Sequence, residues 1–283
     1  MTKLDINAKV KRLNFLVREY EGITSLITAT KQRLLSLPGD NGEKQFDDLL
    51  KGRNNEEGLE TIKGRALRQI EKELKFWDVW TEWLKDFPGI GGYLAARLII
   101  FFNYRFVPIC KDCGGKLERE EGTMICQDCG KKAKDDGLLE YTTEKRDFPT
   151  ISKWWAFMGR HTVDGNMPKR KKGQMSNWST PGRTIGFHIG DQFNRQKEDN
   201  PYKKFMLDRK RRHEKNHEDW TKGHIHNAAR NETVKLFLSH FWTVSRLLDG
   251  KPVSAPYAGA LMGHTNIVQP FFWDDPVEFS EKN

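Results

Sequence analysis

Residues 110–130 read CKDCGGKLEREEGTMICQDCG and contain the four cysteines of the chain, arranged as two CxxC pairs that are each followed by glycine. Zn²⁺ prefers four thiolate ligands in tetrahedral geometry, and two CxxC pairs at this spacing are typical of a structural zinc site. Glycine after each pair lets the chain turn tightly past the second sulfur. The sequence therefore predicts one Zn²⁺, bound for folding rather than for chemistry, at Cys110, Cys113, Cys126 and Cys129.

The polar stretch between the two cysteine pairs can form a β-hairpin. Its strands would be Leu117–Glu120 and Met124–Ile125, which together with the cysteines predict a zinc ribbon over residues 108–133. Four unrelated reduced cysteines are the alternative. Disulfides are disfavoured because nothing in the sequence indicates a secreted protein.

The positive charge of the chain is concentrated in one segment. Residues 151–250 carry 20 Lys and Arg against 10 Asp and Glu, whereas residues 1–150 carry 26 against 25, within a net charge of +9 for 283 residues. Concentrated positive charge attracts polyanions, so the sequence predicts a nucleic-acid partner, most readily DNA, with structured RNA as a second choice. A basic but merely solvated surface is the alternative.

No segment of the sequence has the pattern of a targeting or membrane-spanning element. The first residues, MTKLD, lack the apolar region of a signal peptide, and the longest apolar stretch, residues 93–102, is interrupted by Arg97. That stretch is also too short to cross a bilayer. We therefore expect a soluble cytoplasmic protein, associated with the nucleoid, that has no membrane partner.

Two amphipathic patterns occupy residues 1–86 and predict two long helices. The first is nearly heptad and ends at Pro38-Gly39, and the second runs from Leu59 to Leu84. Joined by a polar loop, they would form an antiparallel helical hairpin or coiled coil. The same apolar stripes could serve a homodimer or a partner protein. The first stripe consists of Ile6, Val10, Leu13, Val17, Tyr20, Ile27 and Leu34.

Residues 87–92 read FPGIGG, and a new apolar helix follows at once. This pattern predicts a helix-hairpin-helix over residues 87–107, in which backbone N–H groups at a helix N-terminus can bind a phosphate. We expect Gly91 to need close phosphate approach and a positive φ. The alternative is a tight corner without a ligand. The candidate contacts are Gly89, Ile90, Gly91, Gly92 and Arg97.

A basic helical domain is predicted over residues 147–250, followed by an irregular tail over residues 251–283, so that the fold class is mainly α. Basic side chains beside Trp178 could bind a phosphate backbone while the indole stacks on a base. An amphipathic helix is expected over Ala228–Leu248. The candidate contacts in this domain are Lys169, Arg170, Lys171, Lys172, Trp178, Arg183, Arg209, Lys210, Arg211 and Arg212.

Residues 213–217 read HEKNH and match the HExxH pattern, which on a helix can place two imidazoles on a zinc ion. A zinc-protease helix is buried and flanked by apolar residues, whereas this stretch is polar on both sides. The favoured interpretation is therefore a chance match on a solvated helix, with metal binding by His213 and His217 left open.

The order of these parts resembles the C-terminal half of the DEDD/serine transposases of bridge-RNA insertion sequences, the group that includes Piv-type invertases. The resemblance extends over residues 60–250 and implies binding to nucleic acid, with a zinc ribbon inserted. The segments that carry it are Pro88-Gly89-Ile90-Gly91, Ala95-Ala96-Arg97-Leu98, Asp147-Phe148, Trp154–Gly159, Gly182-Arg183, Pro201-Tyr202, Ala229-Arg230 and Lys235–Leu238.

Two departures from that family concern catalysis. The family uses an N-terminal RuvC-like domain with four acidic metal ligands, and residues 1–86 show no strands with spaced carboxylates. The family's nucleophilic serine aligns with Asp164, while Ser176 and Ser179 lie further along. No catalytic residue is therefore predicted, and the leading hypothesis is a transposase-related nucleic-acid-binding protein without strand transfer of its own.

Two other functions remain as alternatives. One is an active recombinase or nuclease that uses a separate catalytic subunit or an unrecognised serine. The other is an interaction adaptor built on the N-terminal coiled coil.

Overall fold

The computed structural model describes residues 6–36, 47–53, 56–120, 123–133, 139–163, 167–254 and 267–279. Most of this part of the chain is helical, so the predicted mainly α fold class is confirmed. The helices are α1 (Ile6–Leu35), α2 (Asp47–Lys51), α3 (Leu59–Leu74), a π-helix (Trp80–Leu84), α4 (Gly92–Asn103), α5 (Ile151–Phe157), α6 (Thr180–Arg195), α7 (Pro201–Asn216) and α8 (Lys222–Leu248).

The strands of the described chain lie in two small antiparallel sheets. Strands β1 (Tyr104–Cys110) and β5 (Leu139–Lys145) pair with each other over their full lengths. The second sheet has the order β2 (Leu117–Glu120), β3 (Thr123–Cys126), β4 (Lys132–Ala133). In the β2–β3 pair Leu117 lies opposite Cys126 and Glu120 opposite Thr123.

The chain divides into two compact units that are each discontinuous in sequence. Unit 1 consists of residues 1–73 and 99–147, and unit 2 consists of residues 74–98 and 148–283. The domains expected from the sequence were consecutive segments, whereas here the chain passes from unit 1 to unit 2 and back before it completes unit 2. Helix α4 contributes residues to both units, because the division falls between Leu98 and Ile99.

In unit 1, α1 and α3 present their apolar stripes to the interior and exchange ion pairs. Arg12 of α1 contacts Glu73 near the end of α3, with 2.5 Å between Nη2 and Oε1. Lys31 contacts Glu60 at the start of α3, with Nζ 2.8 Å from Oε1. Opposite ends of the two helices therefore meet. The buried stripe consists of Val10, Leu13, Val17, Ile27 and Leu34 in α1 and Ile70 in α3.

The second amphipathic pattern does not form one continuous helix. Helix α3 ends at Leu74, and the chain turns before the π-helix begins at Trp80. The apolar period continues across this break because Trp80, Trp83 and Leu84 are buried in unit 2, while Leu74 is the first residue of that unit. The apolar period indicates which side chains are buried. Here one period continues from side chains buried in unit 1 to side chains buried in unit 2. Pro38-Gly39, the expected end of the first helix, lie outside the described residues, and α1 ends at Leu35.

Unit 2 is organised around α8, which is longer and more deeply buried than predicted. It begins at Lys222, and each residue from Phe237 to Arg246 is buried, so this half is enclosed rather than amphipathic. Phe237 joins an aromatic cluster in which the rings of Phe193 and Tyr202 stack with centroids 4.5 Å apart. Aromatic side chains of this kind bury large areas and hold the helices of unit 2 together.

The described part of the C-terminal tail, residues 251–254 and 267–279, forms no helix or strand and packs on unit 2. The backbone carbonyl of Phe271 accepts a hydrogen bond from Trp83 Nε1 at 3.0 Å. The carbonyl of Val268 lies 3.1 Å from Nε2 of the buried His240, whose Nδ1 is 2.7 Å from the Tyr202 hydroxyl. His240 is therefore neutral, donating through Nε2 and accepting through Nδ1.

Burial makes His240 a source of acid sensitivity, because it lowers the pKa of His240 to about 3. An unfolded histidine has a pKa of about 6.5, so the unfolded state binds more protons over this range. We therefore expect the free energy of unfolding to fall as the pH drops from about 6.5 towards 3, by about 1.4 kcal/mol per pKa unit titrated at most. His240→Gln, which cannot titrate, should have a flatter dependence in urea unfolding between pH 7 and 4. His188→Gln removes an exposed histidine of α6 and should match the parent. A parent-like slope in His240→Gln would contradict this assignment.

Candidate metal centre and nucleic-acid interface

The four cysteines converge at one point of unit 1. Cys110 Sγ lies 3.8 Å from Cys129 Sγ, and Cys113 Sγ lies 3.4 Å from Cys126 Sγ. All four sulfurs lie within 4.8 Å of one another. The ligand set predicted from the sequence is therefore brought together, in a cluster that could hold a metal ion.

The two CxxC turns have the same backbone geometry. Gly114 N–H donates to the Cys110 carbonyl at 2.8 Å, and Gly130 N–H donates to the Cys126 carbonyl at 3.0 Å. Both glycines have positive φ, 74° at Gly114 and 68° at Gly130. This conformation strains other residues, which explains the glycine after each cysteine pair.

Gly115 sets how closely the two turns approach each other. A Cβ atom on Gly115 would lie 2.8 Å from Cys126 Sγ and 2.4 Å from Asp128 Oδ2. An ion pair also connects the turns, with Lys131 Nζ 2.7 Å from Asp112 Oδ2. The cysteine cluster therefore depends on a residue without a side chain at position 115.

The thiols of the cluster shift one another's pKa values. The backbone N–H of Cys129 is the largest factor that lowers the pKa of the Cys126 thiol, to about 7. The backbone N–H of Gly115 acts in the same direction on Cys113, but the thiols of Cys126 and Cys129 raise the pKa of Cys113 to about 12. A metal ion binds thiolates, so its binding here would displace the remaining thiol protons.

The HExxH stretch does not assemble a metal site. His213 Nε2 lies 2.7 Å from Glu232 Oε1 of α8, and the His217 ring stacks on Trp220 with centroids 3.9 Å apart. Within the described residues, the cysteine cluster is the only group of three or more His, Cys, Asp and Glu whose ligand atoms lie close enough to hold a metal. This agrees with a chance match of the motif.

The FPGIGG segment of unit 2 forms a tight turn into α4. Gly89 has φ of 91°, and a Cβ atom there would lie 2.9 Å from Gln196 Nε2. Gly91 is exposed, and its carbonyl accepts from Ala95 N–H at 3.1 Å, so Gly91 occupies the N-cap position of α4. The expectation of positive φ at Gly91 is wrong, because the turn places it at Gly89.

The turn presents backbone rather than side chains. Ile90 is buried, Gly92 is buried and Arg97 is partly buried. A Cβ atom on Gly91 would meet no atom within 4 Å, so the space in front of the α4 N-terminus is open. The first N–H groups of a helix have no acceptor within the helix, so they can donate to an anion.

The basic residues 169–172 and Trp178 differ in their exposure to solvent. Residues 169–172 are exposed in a segment without helix or strand. Trp178 is half-buried, with the Arg183 guanidinium 5.2 Å from its ring. Gly159, at φ of 63°, makes room for it, since a Cβ atom there would lie 2.7 Å from Trp178 Cδ1. Part of the Trp178 surface therefore serves internal packing rather than a ligand.

The two serines considered as nucleophiles take part in local hydrogen bonds. Ser179 is the N-cap of α6, and its hydroxyl oxygen accepts from Gly182 N–H at 3.0 Å. The Ser176 hydroxyl donates to the Trp178 carbonyl at 3.2 Å. Asp164, where the resemblance predicts the position of the transposases' serine, lies outside the described residues.

The run Arg209–Arg212 is divided around α7, as the helical advance of about 100° per residue requires. Arg209 Nε lies 3.2 Å from Glu232 Oε2, and Arg211 forms an ion pair with Asp208. Arg212 is exposed. Lys210 is partly buried, and burial and then the charge of Lys203 lower its pKa. The four residues therefore do not form one patch.

A row of cationic residues that sequence reasoning missed lies across α7 and α8. It consists of Lys203, Lys210 and Arg230 around the imidazole of His226, and is here called the cation row. Burial is the largest cause that lowers the pKa of His226, followed by the charges of Lys210, Arg230 and Lys203. Burial and then Lys203 lower the pKa of Lys210. The spacing of seven residues in α7 and four in α8 places each pair on one helix face and could have indicated the row.

Glycines of α6 allow two arginines to lie across that helix. A Cβ atom on Gly186 would lie 2.8 Å from Arg160 Nη2, and one on Gly190 would lie 2.6 Å from Arg230 Cγ. Gly182, Gly186 and Gly190 recur at every fourth position, so they share one face. This repeat is visible in the sequence and could have indicated a helix face open to close approach.

Arg160 is the most enclosed of these cations, with 6% of its surface exposed. It donates to Asn231 Oδ1 and to the Arg183 carbonyl, both at 3.0 Å. Burial first, and then the charges of Arg183 and Arg230, lower the pKa of Arg160 to about 10. Arg160 therefore connects α6 and α8 and adds positive potential beneath the surface.

No protein-family model, curated protein or solved structure matches the chain. Within the described residues, no helix combines the length and the apolar character that crossing a membrane requires.

Proposed function

We propose that this chain binds nucleic acid, DNA foremost and structured RNA second, through unit 2, and that it performs no strand transfer of its own. The observation that carries the proposal is the cation row, where burial first and then the charges of Lys210, Arg230 and Lys203 lower the pKa of His226. The carboxylate of Asp191 acts on the row in the opposite direction. It also forms an ion pair with Arg195, with 2.8 Å between Arg195 Nη2 and Asp191 Oδ2. Closely spaced cations repel one another, and a phosphate backbone offsets that repulsion.

The turn before α4 is a second contact in this proposal. It belongs to the same unit as the cation row, and Gly89 packs on Gln196 at the end of α6. An open helix N-terminus at Gly91 suits a phosphate oxygen, since N–H groups and the helix dipole both favour negative charge.

The resemblance to the transposases of bridge-RNA insertion sequences agrees with a nucleic-acid partner. It supports recombination less well, because the oxygen of Ser179 is engaged as a helix cap. A DNA-binding protein related to those transposases is therefore the form of the proposal that we favour.

We also propose that the cysteine cluster binds one structural Zn²⁺. Four thiolates suit tetrahedral Zn²⁺, and a closed set of four protein ligands leaves no position for a reactive water. Cys110, Cys113, Cys126 and Cys129 would hold the ion. The sheet of β2, β3 and β4 has a small core, so metal binding would supply much of its folding free energy.

Gly115→Ala tests the zinc proposal without removing a ligand. The parent should contain about one zinc per chain by elemental analysis. The added Cβ would press on Cys126 Sγ, so this variant should bind zinc more weakly in a chelator competition. Gly22→Ala in α1 is the control, since a Cβ atom there meets nothing within 4 Å, and its zinc content should match the parent. A parent purified without chelator that lacks zinc would refute the metal assignment.

Charge removal in α7 tests the cation row. The double variant Lys203→Gln/Lys210→Gln should bind DNA more weakly, and its slope of log K against log salt should decrease by roughly 0.7–0.9 for each phosphate that is no longer neutralised. Arg211→Gln/Arg212→Gln removes the same charge from other faces of α7 and should change the slope less. Equal changes in both variants would mean that binding is diffuse rather than located at the row.

Two substitutions at Gly91 test the turn. Asp and Asn are equally good N-caps, and neither meets an obstacle at Gly91, so both variants should keep or raise the melting temperature. Asp adds a negative charge where we place a phosphate. Gly91→Asp should therefore lose on the order of 1–3 kcal/mol of DNA-binding free energy relative to Gly91→Asn, as measured by fluorescence anisotropy. Equal affinities would show that the turn is a corner without a ligand.

A further inference from the structure

An aromatic side chain stands exposed beside the cation row. Phe187 of α6 has 47% of its surface exposed. The guanidinium carbon of Arg230, a member of the row, lies 4.2 Å from the centroid of its ring. A guanidinium over a ring is attracted by the electron density of that face, so Arg230 holds the ring from one side.

The position of Arg230 is fixed by its surroundings. Its stem crosses α6 over Gly190, where a Cβ atom would lie 2.6 Å from Arg230 Cγ. Its Nη2 also donates to Asn227 Oδ1 at 2.8 Å. The Phe187 ring is therefore held beside the cations rather than left to move freely, which lowers the entropy lost when a ligand packs on it.

A second pair of arginine and aromatic ring lies one helical turn away. Arg183, four residues before Phe187 on α6, lies over Trp178 at 5.2 Å. Residues four apart occupy the same helix face, about 6 Å along the axis. Residues of both arginine–ring pairs, Arg183 and Phe187, therefore lie on this face of α6.

We propose that this surface takes single-stranded DNA, with a base stacked on the open face of Phe187 and the adjoining phosphates on the cation row. The inference rests on the proposed nucleic-acid binding and specifies the class of nucleic acid. A duplex offers phosphates but keeps the faces of its bases stacked inside. A single strand offers both, and cations beside an exposed aromatic ring match its phosphates and bases.

Three proteins test the inference: the parent, Phe187→Leu and Phe187→Trp. Each is titrated with a labelled single strand of about 20 nucleotides, which is longer than one such binding site, and with the corresponding duplex. Phe187→Leu keeps an apolar side chain but removes the π-face. It should lower affinity for the single strand about 5- to 150-fold, the range expected when one base can no longer stack, and change duplex affinity little. Phe187→Trp should retain single-strand affinity. The salt slope should be unchanged in both variants, because no charge is removed.

A fully abasic strand of the same length keeps the phosphates and removes the bases in every register. It should bind the parent markedly more weakly than the ordinary strand, and the same change should cost Phe187→Leu much less. That loss of additivity reports contact between the side chain and the base. Thermal unfolding checks that the variants fold, as expected for an exposed position.

The results separate this inference from the proposed function. A parent that binds neither single strand nor duplex would refute nucleic-acid binding itself. A parent that binds DNA in a salt-dependent manner, with Phe187→Leu at parental single-strand affinity, would overturn the stacking role alone.

Discussion

The burial of α8 is the constraint on which unit 2 depends. From Phe237 to Arg246 the helix is enclosed, so its rotation about its axis is fixed by packing against Phe193, Tyr202 and the chain around Phe148. Native interiors are packed as densely as organic crystals, so a helix held in this way cannot turn to relieve charge repulsion elsewhere. The first turns of the same helix carry His226 and Arg230 of the cation row, so the core determines where these two side chains lie.

Glycine residues leave the space in which charged side chains and thiols approach closely in both units. The glycines of α6 let Arg160 and Arg230 cross a helix that side chains would otherwise shield. In unit 1, the absence of a side chain at Gly115 allows the two cysteine turns to approach each other. Their thiols then lie close enough to bind one metal ion. In both units, atoms with functional chemistry are brought together by a residue that leaves space.

Much of the architecture could be predicted from the sequence, and the exceptions have physical reasons. The cysteine cluster and the β2–β3 pairing follow from local spacing, which the chain can satisfy without distant contacts. The helix expected over Leu59–Leu84 breaks at Leu74 because one apolar period is shared by two units, and periodicity carries no information about which core is served. The cation row does not appear as a consecutive run of basic residues in the sequence, because its members lie on two helices. Arg209–Arg212 disperse around α7, whereas Lys203 and Lys210 meet His226 and Arg230 across two helices.

The central claim is that a folded, locally concentrated positive surface binds nucleic acid. The most direct test is a mobility-shift titration of the parent protein with a single strand, a duplex and a structured RNA over a series of salt concentrations. We expect binding whose log K falls linearly with log salt, with the single strand bound most tightly. Absence of binding at low salt, or an affinity that does not change with salt, would contradict this claim.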